Sequence, residues 1–169
     1  AHIAKLKISG VITGDEETIK LIDEIGESNA KAVLVEIQSP GGTVTGSEAL
    51  FDALRKLAAK KPTVALVDGM AASGGYIVAL ATDRIFARET SIVGSIGVLF
   101  QYPNFSKLME TVGVKVEEVK SSPLKASPNP YEQTSPEARA ALDLLVKDSF
   151  GWFKGLVSER RKLEGKALD

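Results

Sequence analysis

The chain has 169 residues, of which 44% are apolar and 25% are charged, an ordinary composition for one globular domain with a packed core. Lys and Arg (21) nearly balance Asp and Glu (22), and the net charge of -1 argues against nucleic acid as the main partner. The chain has no cysteine, which excludes disulfides, cysteine nucleophiles and thiolate metal sites. Its single histidine, His2, stands at the start of the chain, a poor position for a catalytic imidazole.

Short β-rich segments alternate with helical patterns in the first part of the chain. Residues 32–37 are nearly all apolar, which is typical of a strand in a parallel sheet that is covered on both faces. In chain order, the predicted elements are a strand over residues 3–9, a helix over 15–25 ended by Gly26, the strand over 32–37, a glycine-rich loop over 39–43 and a helix over 47–60.

The second part continues the alternation and ends in a long helix. Repeated strand–helix–strand units favour right-handed crossovers, so the sequence predicts an α/β fold with a mostly parallel sheet flanked by helices. The predicted elements are a strand over 63–67, a helix over about 73–82, strands over 85–87 and 96–100, a helix from Pro103 to Gly113, a strand over 114–119, an exposed loop over 121–133 and a helix that begins at the capping box 134–137.

The residue types restrict the possible hydrolytic chemistry. A Ser-His-Asp triad cannot be built without an available histidine, and a cysteine nucleophile is absent. The remaining way to activate a hydroxyl pairs Ser or Thr with an amine. A lysine amine acts as a base only when it is neutral, which requires its reference pKa of about 10.4 to fall by roughly 3 units. Burial among apolar groups can supply such a shift.

Ser73 is the candidate nucleophile. It follows a predicted strand and a turn of small residues, and it stands at the start of a predicted helix. The carboxyl ends of parallel strands are where open α/β sheets place their sites. The backbone N–H of Gly74 can then stabilise an oxyanion. The alternative, equally weighted on this segment alone, is that Ser73 only caps the helix.

A second glycine segment follows the preceding strand. Gly41 and Gly42 come after the predicted strand over 32–37, at the same edge of the sheet. They can present a second oxyanion donor and a slot for an extended peptide. An ordinary loop turn is the commoner explanation for any isolated pair of glycines.

Lys125 is the candidate base, with Lys120 as its rival. Leu124 and Ala126 flank Lys125, and Pro123 stiffens the loop. A lysine in a loop is usually a solvated surface group, and the residues alone favour that interpretation.

Together these segments resemble the signal peptide peptidase A family, serine proteases with the fold shared by Clp protease and crotonases. The resemblance covers nearly the whole chain in order, so it is specific, although any one segment alone would be weak. The segments are QSPGGTVTGSEA (38–49), MAASGGY (70–76), DRIFA (83–87), GSIGV (94–98), NFSKL (104–108) and VKS (119–121) with Lys125.

The resemblance implies a Ser/Lys dyad in which Ser73 is the nucleophile and Lys125 is the general base, while Lys120 matches a lysine that is not the base. It implies that Ser95 orients the lysine amine by a hydrogen bond. The residues it implies for the oxyanion hole are Gly42 and Gly74, and those for substrate binding are Gly41, Thr43, Val44, Ile96, Gly97 and Val98.

The family resemblance also implies a setting for the activity. The substrates are extended apolar peptides, mainly signal peptides left after secretion, and no metal or other cofactor is needed. Members are anchored to the cytoplasmic membrane and face its extracytoplasmic side, and short members form homo-oligomeric rings whose sites are shared between protomers. We expect residues 1–169 to be a single catalytic domain, trimmed of an N-terminal anchor and of C-terminal residues. Family members carry such an anchor and continue past the long helix, whereas this sequence opens in a predicted strand, stops at Asp169 and contains no apolar run that approaches the roughly 20 residues needed to span a bilayer.

Two other functions remain open from the sequence. A crotonase-like enzyme acting on acyl-CoA thioesters would use paired backbone N–H donors without Ser73 or Lys125. A non-catalytic scaffold of the same fold would keep both residues without bringing them together. The aromatic residues Phe150, Trp152 and Phe153 of the last helix have the spacing of ordinary core, with a subunit interface as the alternative.

Overall fold

The computed structural model of the chain describes residues 2–165 and residue 168. The described residues form two compact units, one of which contains the segments up to Gly97 and from Gly151 onward (unit 1), while the other is Val98–Phe150 (unit 2). The expectation that residues 1–169 form a single catalytic domain stays a prediction.

Unit 1 is built on a parallel sheet, as the alternation of strands and helices predicts. Its strands in the described chain are β1 (Ile3–Ile12), β2 (Ala32–Gly42), β3 (Thr63–Ala72), β4 (Arg84–Ala87) and β5 (Ile92–Gly94). They follow the order β1-β2-β3-β4, and β5 pairs with the later part of β3. All four strand pairs are parallel.

Helices connect the strands and cover the sheet. The α/β class is confirmed, since each of the first three strands is followed by a helix. None of the helices in the described part of the chain combines the length and apolarity needed to cross a membrane. The helices are α1 (Glu16–Glu27), α2 (Val44–Lys60), α3 (Gly74–Leu80), α4 (Ser106–Thr111) and α5 (Pro136–Arg161).

The core of unit 1 explains why β2 is so apolar. Val33, Val35 and Ile37 point to one face and are at most 1% exposed, because successive strand residues alternate between faces. Leu54 of α2 and Phe153 of α5 belong to the same buried cluster. Burial of one such side chain stabilises a fold by about 1.5–3 kcal/mol, which accounts for the apolar residues on this face of β2.

Three strands extend further than the sequence predicts. β1 reaches Ile12 and β2 reaches Gly42, because Ile12 and Gly42 still pair across the sheet. The predicted glycine-rich loop over 39–43 is therefore mostly strand. β3 likewise continues to Ala72, where its ladder with β5 ends. The predicted turn of small residues before the helix is thus part of the sheet.

Two helix boundaries also differ from the prediction. α1 does not end at Gly26 but continues to Glu27, and Gly26 packs against Lys60 and Leu57 of α2. α2 begins at Val44, because Thr43 caps it by accepting a hydrogen bond from the Gly46 N–H at 3.1 Å.

The predicted strands over 96–100 and 114–119 are absent from the structure. Both segments are apolar enough for strands, but a strand needs a neighbour with which to pair. β3 ends at Ala72, opposite Gly94, and leaves no partner for residues 96–100. The long helix also starts differently, because Ser135, and not Thr134, accepts the hydrogen bond of the Ala138 N–H at 3.1 Å.

Candidate active site

Ser73 connects the end of β3 to the start of α3 in a strained conformation. Its φ of 52° and ψ of −119° lie where a residue with a side chain is rarely found. Its side chain makes no capping hydrogen bond to the helix, so helix capping does not explain the serine. Within unit 1, Ser73 is half-buried, whereas the residues on either side of it, Ala72 and Gly74, are buried. Ser73 is therefore the most accessible residue of the segment 72–74.

Main-chain bonds hold Ser73 in this position. Its N–H donates to the carbonyl oxygen of Gly94, at the end of β5, at 2.8 Å. Its carbonyl oxygen accepts from the N–H groups of Tyr76 and Ile77 at 2.9 and 3.1 Å. The serine backbone is thus fixed between a strand and a helix, which is the support that a strained residue requires.

The glycines predicted as oxyanion donors lie next to each other in unit 1. A Cβ atom placed on Gly41 would lie 2.8 Å from the Gly74 nitrogen and 2.9 Å from the Ser73 Cβ. A Cβ atom placed on Gly74 would lie 3.2 Å from the Gly42 nitrogen. Gly41 also has a φ of 108°, which favours glycine. The structure therefore brings Ser73, Gly41, Gly42 and Gly74 together at one edge of the sheet.

The other predicted residues of unit 1 surround this edge unevenly. Thr43 and Val44 follow Gly42 directly and begin α2. Ser95 has a left-handed φ of 52° and is exposed. Ile96 packs against the core of unit 1, whereas Gly97 is exposed. Among the described residues, no cluster of three or more His, Asp or Glu side chains is arranged to hold a metal ion.

Lys125 and Val98 belong to unit 2. The Lys125 N–H donates to the Ser122 carbonyl oxygen at 3.1 Å, and Ala126 then adopts a left-handed φ of 57°. The Lys125 side chain is exposed. Within unit 2 it lines an open pocket of about 530 Å³, formed by Glu118, Val119, Lys120, Ser121, Lys125 and Ala126.

Lys120, the rival base, is engaged in ion pairs. Its Nζ lies 2.6 Å from Glu118 Oε2 and 2.9 Å from Glu132 Oε1, and its side chain is only 18% exposed. The hydrogen bonds to Glu118 and Glu132 raise the pKa of Lys120 above its usual value. A lysine whose charged form is stabilised in this way is poorly suited to accept a proton, so Lys120 is the weaker candidate.

No sequence pattern pointed to two buried serines beside the glycines. Ser39 and Ser47 are both 0% exposed. Ser47 Oγ donates to the Thr43 carbonyl oxygen at 2.8 Å, and a Cβ atom on Gly74 would overlap that hydroxyl. Both serines belong to the segment 38–49, but a polar residue in a glycine-rich segment is normally expected at the surface. Their burial depends in part on contacts that are distant in sequence, which are Gly10 for Ser39 and Gly74 for Ser47.

The fold resembles that of a known protease. A variant of the 1510-N membrane-bound stomatin-specific protease, solved in complex with a substrate peptide, superposes with a TM-score of 0.51 at 19% identity. The match covers 91% of this chain and 61% of that one. At this identity the likeness concerns the α/β fold alone.

Sequence relatives carry protease names as well. "Putative protease slr0021" of Synechocystis is 34% identical over 163 residues, which is 95% of this chain and 59% of that protein. "Putative signal peptide peptidase SppA" of Enterococcus faecium is 31% identical, with 98% of this chain and 53% of that protein covered. "Protease 4" of Salmonella typhi is 31% identical over 95% of this chain and 26% of its own length. The chain thus spans about half the length of the first two relatives.

A family assignment follows from the sequence. The profile of peptidase family S49 matches residues 55–169, which is more than half of the chain. The chain belongs to peptidase family S49, a family of serine proteases. The resemblance to signal peptide peptidase A inferred from the motifs is confirmed.

Proposed function

We propose that this chain is the catalytic part of a serine endopeptidase in which Ser73 is the nucleophile and Lys125 is the general base. The observation that carries the proposal is the strained conformation of Ser73. This serine makes no capping hydrogen bond to α3, and it lies half-buried beside two glycine segments. Proteins retain such strain mainly at functional positions, because elsewhere it lowers stability by about 1–3 kcal/mol without benefit.

The proposed reaction uses the groups in the following roles. Ser73 Oγ attacks the carbonyl carbon of the peptide bond, and its proton passes to the neutral amine of Lys125. The carbonyl oxygen becomes an oxyanion, which the N–H groups of Gly42 and Gly74 stabilise. Lys125 then protonates the leaving amine, and water releases the peptide from Ser73 by the reverse steps. Ser95 orients the lysine amine by a hydrogen bond.

We propose extended apolar peptides as substrates, including signal peptides that remain after secretion. The name of the Enterococcus relative supports this substrate class. The segment 96–100 forms no ladder with any described strand, so a substrate strand can pair with it by main-chain hydrogen bonds. We propose Gly41, Thr43, Val44, Ile96, Gly97 and Val98 as the residues that contact the peptide.

The proposal also includes an oligomeric assembly and attachment to a membrane. Lys125 is exposed, so a bound peptide or a neighbouring subunit has to bury it before it can act as a base. We propose that a homo-oligomeric ring supplies this burial, with sites shared between protomers. We also propose attachment to the cytoplasmic membrane through a segment outside this chain, with the catalytic part on the extracytoplasmic side.

Three variants test the proposal. Cleavage of an apolar peptide by the wild type is compared with that by Ser73→Ala, Lys125→Ala and Lys115→Ala, where Lys115 is another exposed lysine of unit 2. We expect Ser73→Ala and Lys125→Ala to lose at least about 1,000-fold in kcat, and Lys115→Ala to keep wild-type activity. Equal cleavage by all forms would refute the proposal, and binding of an acyl-CoA without peptide cleavage would instead support a crotonase-like activity.

A further inference from the structure

Ser39 is a fully buried hydroxyl at an irregular point of the sheet. From Ser9↔Gln38 to Val11↔Gly41, β2 advances by three residues while β1 advances by two. The register between β2 and β3 also shifts next to Ser39. An extra residue in one strand interrupts the ladder of main-chain hydrogen bonds and redirects the chain, so this bulge sets the course of β2 just before its glycines.

The Ser39 hydroxyl supplies hydrogen bonds at this bulge. Its Oγ donates to the Gly10 carbonyl oxygen at 2.6 Å and accepts from the Gly41 N–H at 3.1 Å. Gly10 and Gly41 have positive φ values of 74° and 108°, which bend the two strands. One side chain therefore links β1 to the bend in β2. Its removal would deprive a buried amide of its partner, which is costly in a protein interior.

Close packing links the position of Ser39 to that of Ser73, the proposed nucleophile. On one side, a Cβ atom on Gly75 would lie only 2.7 Å from the Ser39 carbonyl oxygen. On the other side, Gly41 is in equally close contact with Ser73 and Gly74, as described above. Tightly packed interiors transmit small displacements, because they contain no free space to absorb them. A shift of Ser39 would therefore move the glycine bend relative to Ser73.

We propose that Ser39 is a positioning residue for the reaction assigned to Ser73. Its hydroxyl fixes the bend at Gly41 and Gly42, and thereby the spacing between the N–H groups of Gly42 and Gly74. An oxyanion hole is effective only when its donors are held in place before the charge develops. This inference rests on the proposed function.

Ser39→Ala tests the inference, because it removes the hydroxyl and almost no volume. We expect kcat for an apolar peptide to fall about 10- to 100-fold, as for a misplaced oxyanion donor, while KM changes little. The rate at which a fluorophosphonate probe labels Ser73 should fall in parallel, because the same N–H groups stabilise that addition. Each variant is assayed well below its own melting temperature, so that unfolded protein does not contribute.

Thr82→Val is the matched control. Thr82 is 3% exposed, and its Oγ1 lies 2.8 Å from the Ala79 carbonyl oxygen and 2.9 Å from that of Arg84. Both substitutions thus remove from unit 1 one buried hydroxyl that lies within hydrogen-bond distance of two main-chain groups. Thr82 follows the C-terminal end of α3, however, whereas Ser73 precedes its start. We expect Thr82→Val to lower the melting temperature about as much as Ser39→Ala and to leave kcat and probe labelling unchanged.

Two results would overturn the positioning role. One is wild-type kcat and labelling in Ser39→Ala, and the other is an equal loss of kcat in Ser39→Ala and Thr82→Val. Ser73→Ala separates these results from a failure of the proposed function. If Ser73→Ala still cleaves peptide, the peptidase mechanism itself is wrong. If Ser73→Ala is inactive while Ser39→Ala is fully active, only the role of Ser39 is refuted.

Discussion

The segment that carries Ser73 and the segment that carries Lys125 are held by different interactions. Ser73 is fixed by main-chain hydrogen bonds and by contacts with glycines that leave no room for a side chain. The loop around Lys125 is exposed, and interactions between side chains hold the two ends of this loop in place. Lys120 bridges Glu118 and Glu132 across the loop, and the buried Asn129 side chain donates to Glu132 Oε1 at 2.9 Å.

This difference indicates how each region should respond to change. Contacts between main chain and glycine are steric, so a single added methyl group cannot be accommodated. Ion pairs near the surface are electrostatic, and they weaken gradually with salt, pH or the loss of one partner. We therefore expect single substitutions in the Ser73 region to cause a large loss of stability. In the loop around Lys125, we expect the loss of an ion pair to increase local mobility gradually.

The largest effect is expected for Gly42→Ala. Its Cβ atom would overlap the carbonyl oxygen of Ile12. Because the Ile12 main chain is held in the ladder between β1 and β2, we expect a loss of about 3 kcal/mol or more in unfolding free energy. Gly155→Ala is the control, because a Cβ atom on that exposed helical glycine meets nothing within 4 Å. Urea unfolding followed by circular dichroism measures both. A stable, active Gly42→Ala would show that the glycine bend is not sterically restricted.

A smaller but still large effect is expected from truncation in the core of unit 1. Leu54 is 0% exposed, so Leu54→Ala should lower the unfolding free energy by about 2–5 kcal/mol. Leu145 of unit 2 is 53% exposed, and Leu145→Ala should change the unfolding free energy by less than about 0.5 kcal/mol. The two variants are compared by the urea concentration at the midpoint of unfolding, provided that the dependence of the unfolding free energy on urea concentration is unchanged. Equal losses would mean that Leu145 is buried in solution, for example by another subunit.

Local sequence patterns predicted the parts of the molecule that local patterns determine. The apolar run over 32–37 indicated a strand of a parallel sheet, which is part of β2, whereas the predicted turn of small residues before Ser73 is the end of β3. The sequence also placed Gly42 and Gly74 at the same edge of the sheet, where the structure brings them together. These features follow from periodicity and residue size, which are read directly from the chain.

Features that depend on distant partners could not be predicted in this way. Residues 96–100 have the composition of a strand but find no neighbouring strand to pair with. The hydroxyl of Ser39 bonds to Gly10, which lies 29 residues earlier, and nothing near Ser39 in the sequence reports that contact. The exposure of Lys125, by contrast, agrees with what the residues alone favoured for a lysine in a loop.

An intermediate effect is expected from Lys120→Met. The variant removes the bridge between Glu118 and Glu132 but retains the length of the side chain, so we expect amide hydrogen exchange in residues 121–131 to rise several-fold while exchange in β2 and β3 stays unchanged. The control is Lys60→Met, because Lys60 pairs with Glu27 on an exposed surface of unit 1. Unchanged exchange in residues 121–131 would show that Asn129 and the local turns hold the loop without Lys120.

The smallest expected effect is a change in pKa. It distinguishes a pKa shift that is caused by neighbouring charges from one that is caused by burial. Hydrogen bonds to Glu118 and Glu132 raise the pKa of Lys120, whereas burial raises the pKa of Tyr76 in unit 1. Both groups therefore stabilise the fold fully below their unfolded values of 10.5 and 10.0, and that contribution is lost as the pH rises through the higher folded values.

Salt should separate the two causes. Molar salt screens the attraction between Lys120 and its carboxylates, so the pKa of Lys120 should move back toward its usual value, while that of Tyr76 should hardly change. NMR titration of the lysine Cε signals and absorbance titration of the tyrosines measure the two shifts. A salt-insensitive Lys120 would mean that its surroundings are as closed as those of Tyr76. The contrast between a sterically fixed nucleophile region and an electrostatically held loop would then no longer hold.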